Sequence, residues 1–536
     1  MHLSLLLTFF ALAVPAQAKT SGHADLVTLF SEWRAFQKPR LVDGVPDYSA
    51  QGMEAQRRAL PAWQARLKAL DTSGWQVPQQ VDWHLVRAEM NGLDFDHRVL
   101  RPWERNPAFY VTIYPDQSDQ PPREGPFTYG GIDLWKYSFP LTAERAAELA
   151  QRLAVIPPLL AQAKENLTGD GHDLWLYGAR SLREQADSLS ALAGKATAHP
   201  QLAAAASKAR EATIALAHWV EEQTPSKKGA SWIGIANYDW YLANVQLLPY
   251  SWAEEVTLVT RELVRARASL AMEEQKNRAL PKQEPIDAPE EYARRHQAAI
   301  TEYMAFLGKA QVRTLPDYLE PALRAHIAPY TAKRPLEFFS ETDSRDPEVL
   351  LTHGYHWFDL ARMERAPHES PLRRGALLYN IFNNRTEGFA TANEELMMQL
   401  GMCDARPRSR ELVWILLAQR GARALAELKL QANELTLEQA ARFATSNTPR
   451  GWLRMESGTV WFEQHLYLQQ PAYGTSYVIG KLEIDKLIAA RAAQLGESFT
   501  LQRFMDDFDA AGLIPVPLLR WELAGQADAV PGAPRR

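Results

Sequence analysis

The sequence predicts a mainly α-helical protein, one large helical body with a few short strands. Three observations lead there. Apolar residues recur at three- and four-residue spacing along most of the chain, alternating β-type runs are scarce, and no Gly/Ser-rich or strongly charged linker divides the 536 residues. No fixed repeat period suggests a solenoid. Residues 19–524 are therefore expected to form one body or two closely packed halves.

The elements follow in chain order. An apolar run from Leu3 to Val14, then Pro15 and Ala16-Gln17-Ala18 before Lys19, reads as an export leader cleaved after Ala18. Its run is short for a bilayer, and no later stretch approaches ~20 uninterrupted apolar residues, so no transmembrane segment is expected after cleavage. Leu26, Leu29, Phe30 and Trp33 form one helical stripe, and Leu60, Trp63 and Leu67 another. Ala108–Tyr114 carries the best strand pattern, and Leu336–Ser340 a second. Helical composition spans Thr142 to Leu167, where Pro157-Pro158 is expected to kink or divide the run because proline removes a ladder donor. Ser251 followed by Glu254 is a capping box for a helix through Val256, Val259 and Leu263. Thr436 opens a helix through Ala440 and Phe443, and further helices are expected over Ser476–Leu495 and Leu501–Ala511. The tail from Gly525 to Arg536 is polar and Pro/Gly-rich, and reads as disordered.

Composition narrows the function classes. A net charge of −5 offers no basic footprint for nucleic acid, and a hydrophobic content of 46% is ordinary for a soluble globular protein. The only cysteine, Cys403, excludes an intrachain disulfide and lies far from the leader cleavage site, where a lipid anchor would need one. A periplasmic or secreted protein is expected.

The stretch Thr352-His353-Gly354-Tyr355-His356-Trp357-Phe358-Asp359, with Thr386-Glu387-Gly388 beyond it, carries the densest ligand-type chemistry. His353, His356, Asp359 and Glu387 are candidate metal ligands, with zinc the candidate ion because imidazole and carboxylate suit it. On an undistorted helix Asp359 lies ~240° round from His353, so three ligands from one helix would need distortion. The favoured set is His353 with His356 or Asp359, joined by Glu387 from a neighbouring helix. The bland alternative is an ordinary half-buried His-x-x-His segment hydrogen-bonded to carboxylates, with Glu387 paired to Arg385 or Arg362. His368-Glu369 is read as loop, since Pro371 follows and no second His has the spacing.

Several segments resemble a known family. Arg101-Pro102-Trp103-Glu104-Arg105, Tyr238-Asp239-Trp240-Tyr241-Leu242, Thr386-Glu387-Gly388-Phe389-Ala390, Pro471 to Leu482 and the closing Gly512-Leu513-Ile514-Pro515 look like the bacterial proteins grouped as domain of unknown function 885. The resemblance implies an exported or membrane-associated helical protein with a zinc-metallopeptidase-like cleft. Active members carry His-Glu-x-x-Pro-Gly-His-His and then Glu-Gly-Trp-Ala. His353 matches the first His and Glu387 the later Glu, whereas Gly354 stands at the general-base Glu, Trp357-Phe358 replaces Pro-Gly, and Asp359 falls on a paired His. Tyr477 and Lys481 fall in the family's Ser-Tyr-x-Ile-Gly-Lys stretch and, with Asp359, are the candidate catalytic groups. Glycine accepts no proton, and a lost general base removes about two to four orders of magnitude of rate.

Three functions fit this reading. The first is a peptidase-like protein with an impaired site that binds peptide-like ligands. The second is an active metallohydrolase in which another carboxylate, Asp359 or Glu387, activates water. The third, a glycan binder using the scattered tryptophans, has no localised signal.

Overall fold

The structure, a computed structural model, describes residues 22–527 and 530. It is 68% helical, and among the described residues the strands are two-residue pairs: Leu41–Val42 antiparallel to Val45–Pro46, and Ile113–Tyr114 parallel to Ile132–Asp133. The mainly α expectation holds because the apolar stripes find partners on neighbouring helices. The expected leader, 1–18, lies outside the described residues, as do 528, 529 and 531–536 of the expected tail. Val530, by contrast, is 4% exposed and packs on the main core. Among the described residues no helix is long and apolar enough to cross a membrane.

Local signals place most helix starts. Ser251 Oγ accepts from the Glu254 amide while Glu254 Oε2 accepts from the Ser251 amide at 2.8 Å, opening the helix Trp252–Lys276. Thr436 and Gln439 cap Leu437–Asn447 in the same way. The 142–167 run is divided, as expected, into Ala143–Leu153 and Ile156–Asn166, with the prolines in the first turn of the second helix, where no ladder donor is lost. The late helices run Tyr473–Leu495 and Leu501–Ala510. His368 and Glu369 lie in a loop.

Both strand expectations need correction. In Ala108–Tyr114 only Ile113–Tyr114 is extended, and Pro107–Tyr110 is a 3-10 turn capped by Asn106, whose side chain accepts from the Ala108 amide at 3.0 Å. Gln185 Oε1 takes the amides of Thr112 and Ile113 at 2.6 and 3.1 Å, so a side chain supplies what a partner strand would. Leu336–Ser340 leads into the helix Phe338–Asp343 instead, with Leu336 and Phe338 buried. In both segments tertiary contacts outweigh a modest strand propensity.

The core falls into a large cluster around the C-terminal helices, a second among the helices between Ala143 and Gln223, a small N-terminal one that includes Leu26, Leu29, Trp33, Leu60 and Leu67, and a patch of Leu466, Tyr467, Tyr473 and Tyr477. The helix Asn383–Gln399 runs through the large cluster although its sequence is mostly polar, and nearly all its residues are buried. Buried polar side chains need partners, so this helix is where the fold concentrates polar chemistry.

Gly388 on that helix meets Gly480 of Tyr473–Leu495 backbone to backbone. A Cβ at Gly388 would lie 2.4 Å from Gly480 Cα, and one at Gly480 would lie 2.1 Å from the Asn384 carbonyl oxygen. This crossing sets Glu387 beside Tyr473. Gly480→Ala is therefore expected to cost about 3 kcal/mol or more, because rigid backbone cannot yield as side chains do. A urea unfolding midpoint unchanged by the substitution would refute the close crossing.

Candidate functional site

The helix Pro347–His353 ends at Gly354 and a second helix, Tyr355–Arg365, starts at once. The break relieves the single-helix geometry assumed from spacing and sets the two imidazoles edge to face, with ring centres 5.0 Å apart. The neighbouring polar helix holds the first helix in place: Asn393 Nδ2 donates to the Thr352 carbonyl at 2.8 Å. Gly354 is also crowded, since a Cβ there would stand 3.0 Å from the Leu351 carbonyl oxygen and 3.2 Å from Leu323 Cδ2.

The structure brings together His353, His356 and Glu387, with one ligand-type atom of each inside a 4.8 Å span. Glu387 Oε2 lies 3.2 Å from His356 Nε2 and 3.8 Å from His353 Nε2. That oxygen is buried and lacks a well-aligned hydrogen bond, while Oε1 accepts from the Tyr473 hydroxyl at 2.5 Å. The outer nitrogens are held as well. His353 Nδ1 lies 3.1 Å from Glu394 Oε1 and 3.0 Å from Arg420, and Arg420 itself forks onto Glu394. His356 Nδ1 lies 3.1 Å from Gln120 Nε2.

The charges follow from these partners. Burial opposes charge on His356, yet the Asp119 and Glu387 carboxylates raise it to about 9. Burial likewise works against a charged Glu387, but His356, His353 and the Tyr473 hydroxyl hold it at about 2. The two thus form a buried ion pair. His353 is held well below its ordinary value by burial and by Arg420, which keeps it neutral.

The other sequence candidates divide. Asp359 is not part of the cluster: it pairs with the buried Arg385 and with Arg362 at 3.0 Å. The arginines that could have paired Glu387 are thus committed elsewhere, since Arg362 also reaches Asp509. Tyr477 does reach the site, its ring stacked at 6.3 Å from His353 with the Arg423 guanidinium 4.0 Å from its centre. Lys481 instead pairs with Asp485 and Glu395 and lines a different cavity beside Arg265.

A cleft of about 570 Å³ opens over His353, Glu387, Tyr473 and Tyr477, with Phe339, Trp357 and Phe462 on its apolar side. Asp119 and Glu124 line it from the loop 115–131, which has no helix or strand. Burial and the adjacent Asp119 push Glu124 up to about 7, and burial and Glu387 also raise Asp119. Sequence reasoning missed these two acids, Gln120, Tyr473 and the Glu394–Arg420 support. The available signal was the loop itself: a long, structureless run rich in Pro and Gly that carries three acids, inside a compact helical body, is a functional candidate.

A family model described as "Bacterial protein of unknown function (DUF885)" matches residues 35–523. Two solved structures share the fold. One is described as "a putative lipoprotein of unknown function" from Shewanella oneidensis, with TM-score 0.64 and 16% identity, covering 93% of this chain and 97% of that one. The other, described as "the putative lipoprotein" from Colwellia psychrerythraea, has TM-score 0.64 and 17% identity, covering 94% and 98%. Among curated proteins there is no match.

Proposed function

The chain belongs to the DUF885 family, and from that premise we propose that it is an exported, metal-dependent hydrolase acting on peptide-like substrates, with the carboxylates of the 115–131 loop in the place of the missing general base. The observation that carries this reading is the convergence of His353, His356 and Glu387, with the inward Glu387 oxygen left without a well-aligned hydrogen bond. Two imidazoles and a carboxylate are a donor set of catalytic zinc sites, and outer-nitrogen partners such as Glu394 and Gln120 fix ring orientation there. Zinc is the expected ion, and when bound it supplies Lewis-acid polarisation of a carbonyl and acidifies water.

The protein's own groups fit the remaining tasks. Glu124, which lines the cleft and whose carboxyl burial and Asp119 raise to about 7, is placed to take the proton of the attacking water and return it to the leaving nitrogen. Tyr477 stays a neutral phenol because burial and Glu387 raise it well above its ordinary range, so its hydroxyl can donate to the substrate carbonyl oxygen. Phe462, 65% exposed, and Trp357 offer an apolar seat for a substrate side chain. Export is supported by the leader pattern of residues 1–18 and by the lipoprotein descriptions of the two fold relatives.

A second reading, a binding protein without hydrolysis, is favoured by Gly354 and by the His356–Glu387 ion pair, which satisfies the cluster without a metal. The two separate experimentally. With zinc supplied, cleavage of a mixed peptide library is expected to rise with pH along a limb at or below about 7. Glu124→Gln should lower the rate by about two to four orders of magnitude and remove that limb. Stoichiometric zinc binding with no cleavage of any library member would overturn hydrolysis and leave the binding reading.

A further inference from the structure

A second cavity, of about 390 Å³, lies beside the cleft: Glu124 faces the cleft, whereas Gly125, Pro126 and Phe127 of the same loop line the cavity. Its walls are largely apolar and aromatic, with Leu100, Trp103, Phe109 and Tyr241 among them, and Tyr129, 40% exposed, stands at its rim. Such a volume and lining suit a small organic molecule.

Three residues lining this space each carry a polar group with no partner among the described residues. Asp96 opens the π-helical turn Asp96–Leu100 that ends the helix Val77–Phe95, and its carboxyl has no hydrogen bond or counter-ion among the described residues. The nearby Arg34 cannot neutralise it, because that guanidinium is forked onto Glu89 and also donates to the Ala376 carbonyl. Gln470 is 6% exposed; its Oε1 accepts from the Gly125 amide at 2.6 Å and from Asn380 Nδ2 at 3.0 Å, but its Nε2 has no partner. The Tyr379 hydroxyl is likewise free among the described residues.

The backbone around these groups is held in costly conformations. Tyr379 and Asn380 both have left-handed backbones, at φ 57° and 46°. The Tyr379 ring sits where a Cβ on Gly92 would come within 2.3 Å of its Cγ. Consecutive non-glycine residues in that region cost of order 1–3 kcal/mol each and persist where surrounding structure enforces them, often at ligand sites. A buried donor and an unpaired carboxyl are further costs that a ligand would relieve.

We propose that this cavity is a second ligand site, independent of the His353 cleft, that binds a small amine with an apolar body and a carbonyl oxygen, its ammonium on Asp96 and its oxygen on Gln470 Nε2. Burial in this cavity pushes Asp96 up to about 8. Pairing with an ammonium favours the carboxylate, so binding near neutral pH releases a proton to solvent.

The probe is N-benzyl-β-alaninamide, which carries an ammonium, a carbonyl and an aromatic ring, with its N-acetyl derivative as the uncharged control. Calorimetric titration of the full-length protein in buffers of different ionisation enthalpy should show binding with proton release, and at least tenfold weaker binding of the acetylated control. Asp96→Asn should weaken the amine at least tenfold and abolish the proton release, whereas Glu387→Gln, in the other cleft, should leave binding unchanged. Leu100→Trp fills the cavity and should block the probe, which decides the matter if the Asp96 variant does not fold. No measurable binding, equal binding of the acetylated control, or loss of binding in Glu387→Gln would overturn the proposal.

Discussion

Replacing His356 by alanine is expected to abolish metal retention and to reduce hydrolysis by about three orders of magnitude or more. His356 is 1% exposed and supplies one of three converging donors, so its loss leaves two ligands and an unpaired buried carboxylate at Glu387. Two donors do not hold a divalent ion against dialysis as three do, and the transition-state stabilisation lost with the ion is several kcal/mol. The metal-free variant should also be less stable, because breaking a buried pair by removing one partner costs about 3–5 kcal/mol. Metal analysis after dialysis, with circular dichroism to establish folding, checks both effects. A folded variant that kept one equivalent of zinc would remove His356 from the site.

Asp359→Ala is expected to do the opposite: unchanged metal content in the folded protein, with unfolding free energy lowered by about 3–5 kcal/mol. The Asp359 and Arg385 side chains are 2% and 0% exposed, so solvent does not screen their pairing. Removing the carboxylate leaves Arg385 only the shared Asp509, 3.8 Å away and already engaged by Arg313 and Arg362. Asp359→Asn should cost less, since the amide oxygen still accepts from the guanidinium. Chemical denaturation with parallel zinc analysis measures the two effects together. Lost zinc with unaltered stability would restore Asp359 as a ligand.

These substitutions separate two kinds of knowledge. The helical architecture, the capped starts at Ser251 and Thr436 and the division at Pro157-Pro158 were legible in the sequence. Each rests on interactions a few residues apart, which local spacing encodes directly. His353, His356 and Glu387 stood out in the sequence as ligand-type residues within short stretches, and the structure brings their side chains together. The sequence left His356 and Asp359 both open, because helical spacing sets His356 on the face of His353 whereas the family resemblance sets Asp359 at a paired His. In the structure the break at Gly354, and the arginines that engage Asp359, leave His356 rather than Asp359 beside His353 and Glu387.

What only the tertiary structure decided lies farther apart. Gln120 touches His356 across 236 positions, and Asp119 and Glu124 reach the cleft on a loop with no periodicity to mark it. The two strand segments failed for the same reason, since Gln185 takes amides that local propensity assigned to a partner strand. Spacing records which face of a helix is apolar, but a carboxylate's partner is whichever charge the packed chain brings within a few ångströms of it, and that depends on the whole fold.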